Sequence, residues 1–149
     1  VKASEKCLKM LAHHEGVRTK PYRCPAGLWT VGVGHLIGDG KSLPDSWNRT
    51  FSLEEVYAIL AKDVERFERG VDRFIPVKLT QSEFDCLVSF SFNLGLGTLQ
   101  RSTIRQALLR GDKITAMQSL RKYNKAGGKV LKGLDNRRKD EEALFWSKS

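Results

Sequence analysis

The chain is expected to fold as an α+β protein in two lobes, a small antiparallel sheet and a helical part joined by one long helix. Three observations lead there. Residues 17–47 carry Pro21, Pro25, Gly27, Gly32, Gly34, Gly38, Gly40 and Pro44, which break any helix, while Trp29-Thr30-Val31-Gly32-Val33 alternates as a strand does. Leu53, Val56, Leu60, Val64, Phe67, Val71 and Phe74 recur at three- and four-residue steps, the stripe of a long amphipathic helix. Beyond Pro76, helical patterns succeed one another to the C-terminus.

In chain order, Ser4 to His14 places Cys7, Leu8, Leu11 and Ala12 at helical spacing, with Ser4 as a candidate cap and Gly16 as the stop. The sheet region of residues 17–47 has room for two or three short strands and a tight turn at Gly38-Asp39-Gly40. Ser52-Leu53-Glu54-Glu55 is a capping box that opens the long helix, which Gly70 is expected to interrupt and Pro76 to end. A second box, Thr80-Gln81-Ser82-Glu83, opens a helix carrying Phe84, Leu87, Val88 and Phe90 up to Asn93-Leu94-Gly95. Its apolar residues cover more than one face, which puts it at the centre of the helical part. Shorter helices are expected at about Thr103–Arg110, Ile114–Tyr123 and Asp135–Trp146. The domain reading is one domain over 1–149, with a sheet lobe at about 16–50, a connecting helix at about 52–75 and a helical lobe at about 76–149 that includes the N-terminal helix. A ligand is expected in a cleft between the lobes.

At 149 residues the chain can bury a real core, and 40% hydrophobic with 29% charged residues argues against disorder. No apolar run approaches the ~18–20 residues needed to span a bilayer. The stretch VKASEKCLKMLAHHEG has lysines throughout and no uninterrupted apolar segment, so no export signal is expected. The net charge of +9 is uneven. Residues 1–100 hold 13 Lys and Arg against 12 Asp and Glu, a net of +1; residues 101–149 hold 13 against 5, a net of +8. The last third therefore either presents a field for polyanions or is a solvated basic face. No nucleic-acid motif accompanies the charge, so no specific nucleic-acid partner is expected. Three cysteines, with no CxxC pair and no histidine at zinc-finger spacing, give no basis for a structural metal, and no metal or cofactor is expected. Cys7 and Cys86 fall in apolar helical patterns, as small core residues do.

The residues that carry chemistry lie between Glu15 and His35. Eight residues separate Glu15 from Cys24 and five separate Cys24 from Thr30, so a helix end, a turn and a strand can converge. Glu15 at a helix C-terminus, beside His13 and His14, is either a general acid whose proton is retained by burial and by the negative helix end, or an ordinary surface carboxylate. Cys24, next to Arg23 and in a turn, is either a partly ionised thiol or a small buried residue. Thr30 by itself is a good strand residue. His35, after two Val-Gly pairs, is either a base or a hydrogen-bonded structural histidine.

The order Glu15, Cys24, Thr30 resembles the catalytic signature of the phage-type lysozymes and endolysins, glycoside hydrolase family 24, in their cysteine-containing subgroup. Trp29-Thr30-Val31-Gly32-Val33-Gly34-His35 is similar to the strand that follows in that family. So are Ser91-Phe92-Asn93-Leu94-Gly95, Ser102-Thr103, Ala126-Gly127-Gly128-Lys129, and Gly133-Leu134-Asp135-Asn136-Arg137-Arg138 leading to Glu142 and Leu144. The matches run in order from residue 15 to residue 146.

The resemblance implies a lysozyme-like fold and a muramidase that hydrolyses the β-1,4 bond between N-acetylmuramic acid and N-acetylglucosamine in peptidoglycan. Glu15 would protonate the leaving oxygen. Cys24 would act as base or nucleophile, standing where many members carry Asp and some carry Cys. Thr30 would position the attacking water. Arg137 falls where the family has a basic residue that can pair with the catalytic Glu, Asn93 would bind a sugar amide in the cleft, and His35 looks structural. The expected partners are peptidoglycan glycan strands, met by a monomer, and anionic envelope polymers met by the basic C-terminal third. The expected location is the host cytoplasm before lysis and the cell wall afterwards. Two other readings stand beside this one: a lytic transglycosylase, which needs one acid and no activated water, and a non-catalytic wall-binding module.

Overall fold

Pro21 and the glycines that follow it keep residues 18–36 out of helix. They form a three-stranded antiparallel sheet in a computed structural model that describes every residue from Val1 to Ser149. Two compact units result, Glu5–Glu65 and Val1–Ser4 with Arg66–Ser149.

In the first unit, α1 (Glu5–Glu15) buries Cys7, Leu11 and Ala12, and Gly16 ends it at φ 84°, donating its N–H to the Ala12 carbonyl at 2.9 Å. The strands are β1 (Arg18–Arg23), β2 (Trp29–Gly32) and β3 (His35–Leu36), in the order β1-β2-β3. Tyr22 pairs with Thr30 and Arg18 with Gly32, so β1 holds extra residues between its two pairings and bulges there. Pro21 lies in the bulge, where a residue without an N–H costs no ladder bond. Val31, Val33 and Ile37 are buried. Trp47, in a single 3-10 turn (Asp45–Trp47), stacks on His35 at 5.6 Å and meets the buried Phe51 at 5.5 Å.

The first capping box forms as expected. Ser52 Oγ accepts from the Glu55 N–H at 3.1 Å, and Glu55 Oε1 accepts from the Ser52 N–H at 3.0 Å. Arg49 adds an ion pair to Glu55 at 2.7 Å. The Arg49 hydrogen bond, followed by the Ser52 N–H, lowers the Glu55 carboxyl to about 2. A carboxyl depressed on folding contributes stability that is complete above its ordinary value, about 4.5, and is lost as the pH falls through about 2. Glu55→Gln is therefore expected to flatten the melting temperature against pH over that window and nowhere else, which thermal melts from pH 7 to pH 2 would show.

Helix α2 (Leu53–Phe74) does not break at Gly70. A Cβ built there would stand 2.3 Å from Leu96 Cδ2 and 2.6 Å from Cδ1, so the glycine serves a close side-chain approach within the second unit. Gly70→Ala would gain about 1 kcal/mol of helix propensity. The overlap is with the methyl end of a partly exposed Leu96 side chain, which can turn aside at a cost that offsets this gain, so a net change within about 1 kcal/mol is expected in urea unfolding.

The second unit is built on α3 (Gln81–Leu94). Its capping box is complete, with Thr80 Oγ1 accepting from the Glu83 N–H at 3.1 Å and Glu83 Oε1 from the Thr80 N–H at 2.9 Å. Every residue from Ser82 to Ser91 is buried, so α3 is the central helix, as its all-round apolar pattern predicts. It packs chiefly on α7 (Lys132–Trp146). Between them come α4 (Leu96–Gln100), α5 (Thr103–Leu109), capped by Ser102, and α6 (Lys113–Arg121), capped by Asp112. A hairpin of β4 (Lys125–Ala126) and β5 (Lys129–Val130) turns on Gly127 and Gly128, both at positive φ. Neither α4 nor the hairpin is visible in the periodicity, since each is too short to show one. Phe84, Leu87, Phe90, Leu99, Ile104, Met117, Leu120 and Phe145 fill this core, each contributing about 1.5–3 kcal/mol by burial.

Candidate active site

Cys24 follows strand β1 directly and opens the loop to β2. The loop is a type I-like turn with a glycine bulge: the Gly27 N–H donates to the Cys24 carbonyl at 2.7 Å and the Cys24 N–H to the Leu28 carbonyl at 2.9 Å. Pro25 supplies the fixed φ of the first turn position and Gly27, at φ 78°, the left-handed one. This geometry turns backbone donors toward the Cys24 thiol.

The thiol lies below its ordinary value. The hydrogen bond from Leu28 is the largest cause; partial burial opposes it, and donors from Ala26, the Thr30 hydroxyl and the Cys24 backbone add to the lowering. Arg23, the cation next to Cys24 in sequence, is not among the causes. Its guanidinium lies 4.9 Å over the Trp29 ring. The expectation of an activated thiol beside a cation is thus met by a different agent, the hairpin backbone.

Thr30 is buried, and its hydroxyl donates to the Leu28 carbonyl at 3.0 Å. A hydroxyl has one proton and two lone pairs. While Thr30 donates to Leu28 it can accept from a thiol, and by rotating it can donate to a thiolate. Cys24, Leu28 and Thr30 therefore form one hydrogen-bonding group at the mouth of the hairpin.

Glu15 is the last residue of α1, in the same compact unit. The apolar burial expected around it is absent, for its side chain is exposed. His13 and His14 precede it with their rings edge to face at 5.1 Å. The Nδ1 of His35 lies 2.8 Å from Asp63 Oδ2, and its ring stacks on Trp47.

Asn93 and Arg137 belong to the second unit. Asn93, near the end of α3, accepts from Arg138 Nη2 at 2.8 Å. Arg137 is buried on α7; its Nη2 donates to the Ser89 carbonyl at 3.0 Å and its Nε to Glu141 at 3.3 Å. Ser89 and Glu141 have no place in the sequence reading, and Arg138 enters it only as the end of the Gly133–Arg138 run. The spacing of Arg138 and Glu141, i to i+3 on one helix, was the available signal.

The phage lysozyme family profile matches residues 12–141. Among curated proteins, the endolysin of Bacillus phage B103 is 39% identical over 144 residues, covering 95% of this chain and 53% of that protein. The chain thus spans about half the length of that relative. The endolysin of Acyrthosiphon pisum secondary endosymbiont phage 1 is 36% identical over 152 residues, with 97% of each chain covered. Among solved structures, a mutant of the P22 lysozyme superposes with a TM-score of 0.88 at 30% identity over 99% of both chains. The profile runs through both compact units and takes in Glu15, Cys24, Thr30, Asn93 and Arg137; on that extent, and on its likeness to these relatives in sequence and in fold, the chain belongs to the phage lysozyme family.

Proposed function

We propose that the chain is a peptidoglycan-degrading muramidase that hydrolyses the β-1,4 bond between N-acetylmuramic acid and N-acetylglucosamine, as an endolysin does. Glu15 protonates the leaving glycosidic oxygen. Cys24, as the thiolate, is the base or nucleophile on the other side of the sugar, and Thr30 holds the attacking water. The observation that carries this reading is the Cys24–Leu28–Thr30 group, in which a thiol sits below its ordinary value beside a buried hydroxyl. Glycoside hydrolysis calls for a second anionic group besides the acid. A thiolate held by backbone donors supplies one where the family often has a carboxylate, and its charge also suits an oxocarbenium-like transition state.

A lytic transglycosylase would have no use for a lowered thiol, so the same observation favours hydrolysis. Mass spectrometry of digested peptidoglycan separates the two. Reducing ends on muramic acid are expected; 1,6-anhydro ends would replace the hydrolase with the transglycosylase, and binding to sacculi without release of either would replace both with a wall-binding module. Asn93 contacts the sugar amide in this reading, and Arg137, the basic residue on α7, supports it from the same unit. The enzyme acts as a monomer on glycan strands and needs no cofactor. It accumulates in the host cytoplasm and reaches the wall on release. No helix is long and apolar enough to cross a membrane. The net charge of +8 on residues 101–149 adds attraction to anionic envelope polymers, which salt weakens.

A further inference from the structure

Glu141 is fully buried on α7, and three donors converge on its Oε2: Ser89 Oγ at 2.6 Å, Arg138 Nη2 at 3.0 Å and Arg137 Nε at 3.3 Å. Its Oε1 lies 2.7 Å from Arg138 Nε, a close ion pair outside hydrogen-bond alignment. Burial pushes the Glu141 carboxyl up and the Arg138 guanidinium down, as desolvation does to opposite charges. Two guanidiniums and a hydroxyl around one carboxylate work the other way.

Such a cluster is not explained by stability. Buried ion pairs replaced by well-packed apolar residues often leave a protein as stable or more so. What an apolar residue would not do is aim a guanidinium. Arg138, itself fully buried, is anchored to Glu141 at one end; its Nη1 donates to the Tyr123 carbonyl at 3.3 Å and its Nη2 to Asn93 Oδ1 at 2.8 Å. Arginine has no acceptor, so only the oxygen of the Asn93 amide can face it. The amide of Asn93 is thereby held one way round, with its nitrogen left to donate elsewhere. Asn93 is partly exposed, so a ligand can meet that nitrogen.

We infer that Glu141 is a positioning residue: by anchoring Arg138 it sets the Asn93 amide so that Nδ2 donates to an acceptor on the glycan, such as the carbonyl of an N-acetyl group. The inference rests on the reading of Asn93 as a sugar contact. It assigns to Glu141 a role in substrate recognition without contact to substrate.

The test is kcat and KM on soluble, uncrosslinked glycan strands for the wild type, Asn93→Ala, Glu141→Gln and the double variant, each with its thermal melt. Asn93→Ala is expected to raise KM about five- to tenfold with kcat within about twofold, the loss of one hydrogen bond. Glu141→Gln should raise KM by a similar factor, and the double variant no further than Asn93→Ala alone, since both remove the same contact. No turnover by the wild type fails the hydrolase reading and this role with it. A wild-type KM in Asn93→Ala overturns Asn93 as a sugar contact. A raised KM there but not in folded Glu141→Gln, or factors that multiply in the double variant, overturns the positioning role while leaving Asn93 in place. A purely structural Glu141 would lower the melting temperature and the active fraction at unchanged KM, which also overturns it. Should Glu141→Gln not fold, Arg138→Lys takes its place, keeping the charge but not the fork; it is expected to raise KM likewise, and a wild-type KM in it overturns the role. Asn93→Asp, which still accepts from Arg138 but lacks the outward donor, should match Asn93→Ala.

Discussion

Glu15→Gln is expected to reduce kcat by about 10²–10⁴-fold on peptidoglycan, the usual contribution of a positioned general acid, while the protein stays folded. The amide is nearly the same shape as the carboxyl and cannot deliver the proton that the leaving oxygen needs. Because Glu15 is an exposed residue at the end of α1, the substitution removes no buried packing, and the protein should still fold. The defect should lie in kcat rather than KM, since proton donation is realised only in the transition state. Glu15→Asp separates position from chemistry. It keeps the proton and withdraws it by one methylene, so an intermediate loss is expected. Turnover in Glu15→Gln within tenfold of wild type would remove Glu15 from the mechanism and with it the assignment of the acid to the end of α1.

Sequence reasoning succeeded where the chemistry is local and failed where a distant partner decides. The two capping boxes, at Ser52–Glu55 and Thr80–Glu83, form as read, because each is closed by residues three apart on one chain segment. The central place of α3 was equally legible, since a helix apolar on all sides has nowhere else to go. Gly70 was misread for the opposite reason. Its meaning lies in Leu96, and nothing near Gly70 in the sequence distinguishes a helix break from a close approach. The α4 turn and the β4–β5 hairpin carry too few residues for a period to appear.

The candidate site divides the same way. Glu15, Cys24 and Thr30 could be named from their order, but not the agents acting on them. For Glu15 the sequence suggested burial, and the side chain is exposed. For Cys24 it suggested Arg23, which is adjacent in sequence and turned onto Trp29 in space. Buried arginines on α7 were legible as family landmarks, whereas the carboxylate that organises them was not. A charged run such as Arg137 to Glu142 reads as a solvated face until the packing of α7 on α3 turns one side of it inward.

The second large effect is expected at Cys24. Cys24→Ser should lower kcat/KM by about 10²–10³-fold, because a serine hydroxyl in the same hairpin stays neutral and offers neither base nor nucleophile. Cys24→Asp should keep substantial activity, since a carboxylate fills the same role with a full charge. The pH profiles give the sign. The group must be ionised to act, so activity falls as the pH drops through its pKa. With Cys24 that limb should lie below the ordinary thiol value of about 8.5, and with Asp it should move down towards about 4. The thiol can be read without turnover through its rate of alkylation by iodoacetamide against pH, in which the inflection should fall below that of a free cysteine; Cys7 and Cys86 are buried and should react slowly. The cause of the lowering is testable too. Because the Leu28 and Ala26 backbone donors depend on the left-handed turn at Gly27, Gly27→Val should distort the hairpin, return the alkylation inflection towards the free value and lower activity near neutral pH. Thr30→Val should remove one donor and shift the inflection less, since the hydroxyl is a lesser cause than Leu28. If alkylation inflects at or above the free-cysteine value, or if Cys24→Ser digests peptidoglycan as fast as the wild type, Cys24 is a spectator. The anion opposite Glu15 must then be sought in another residue.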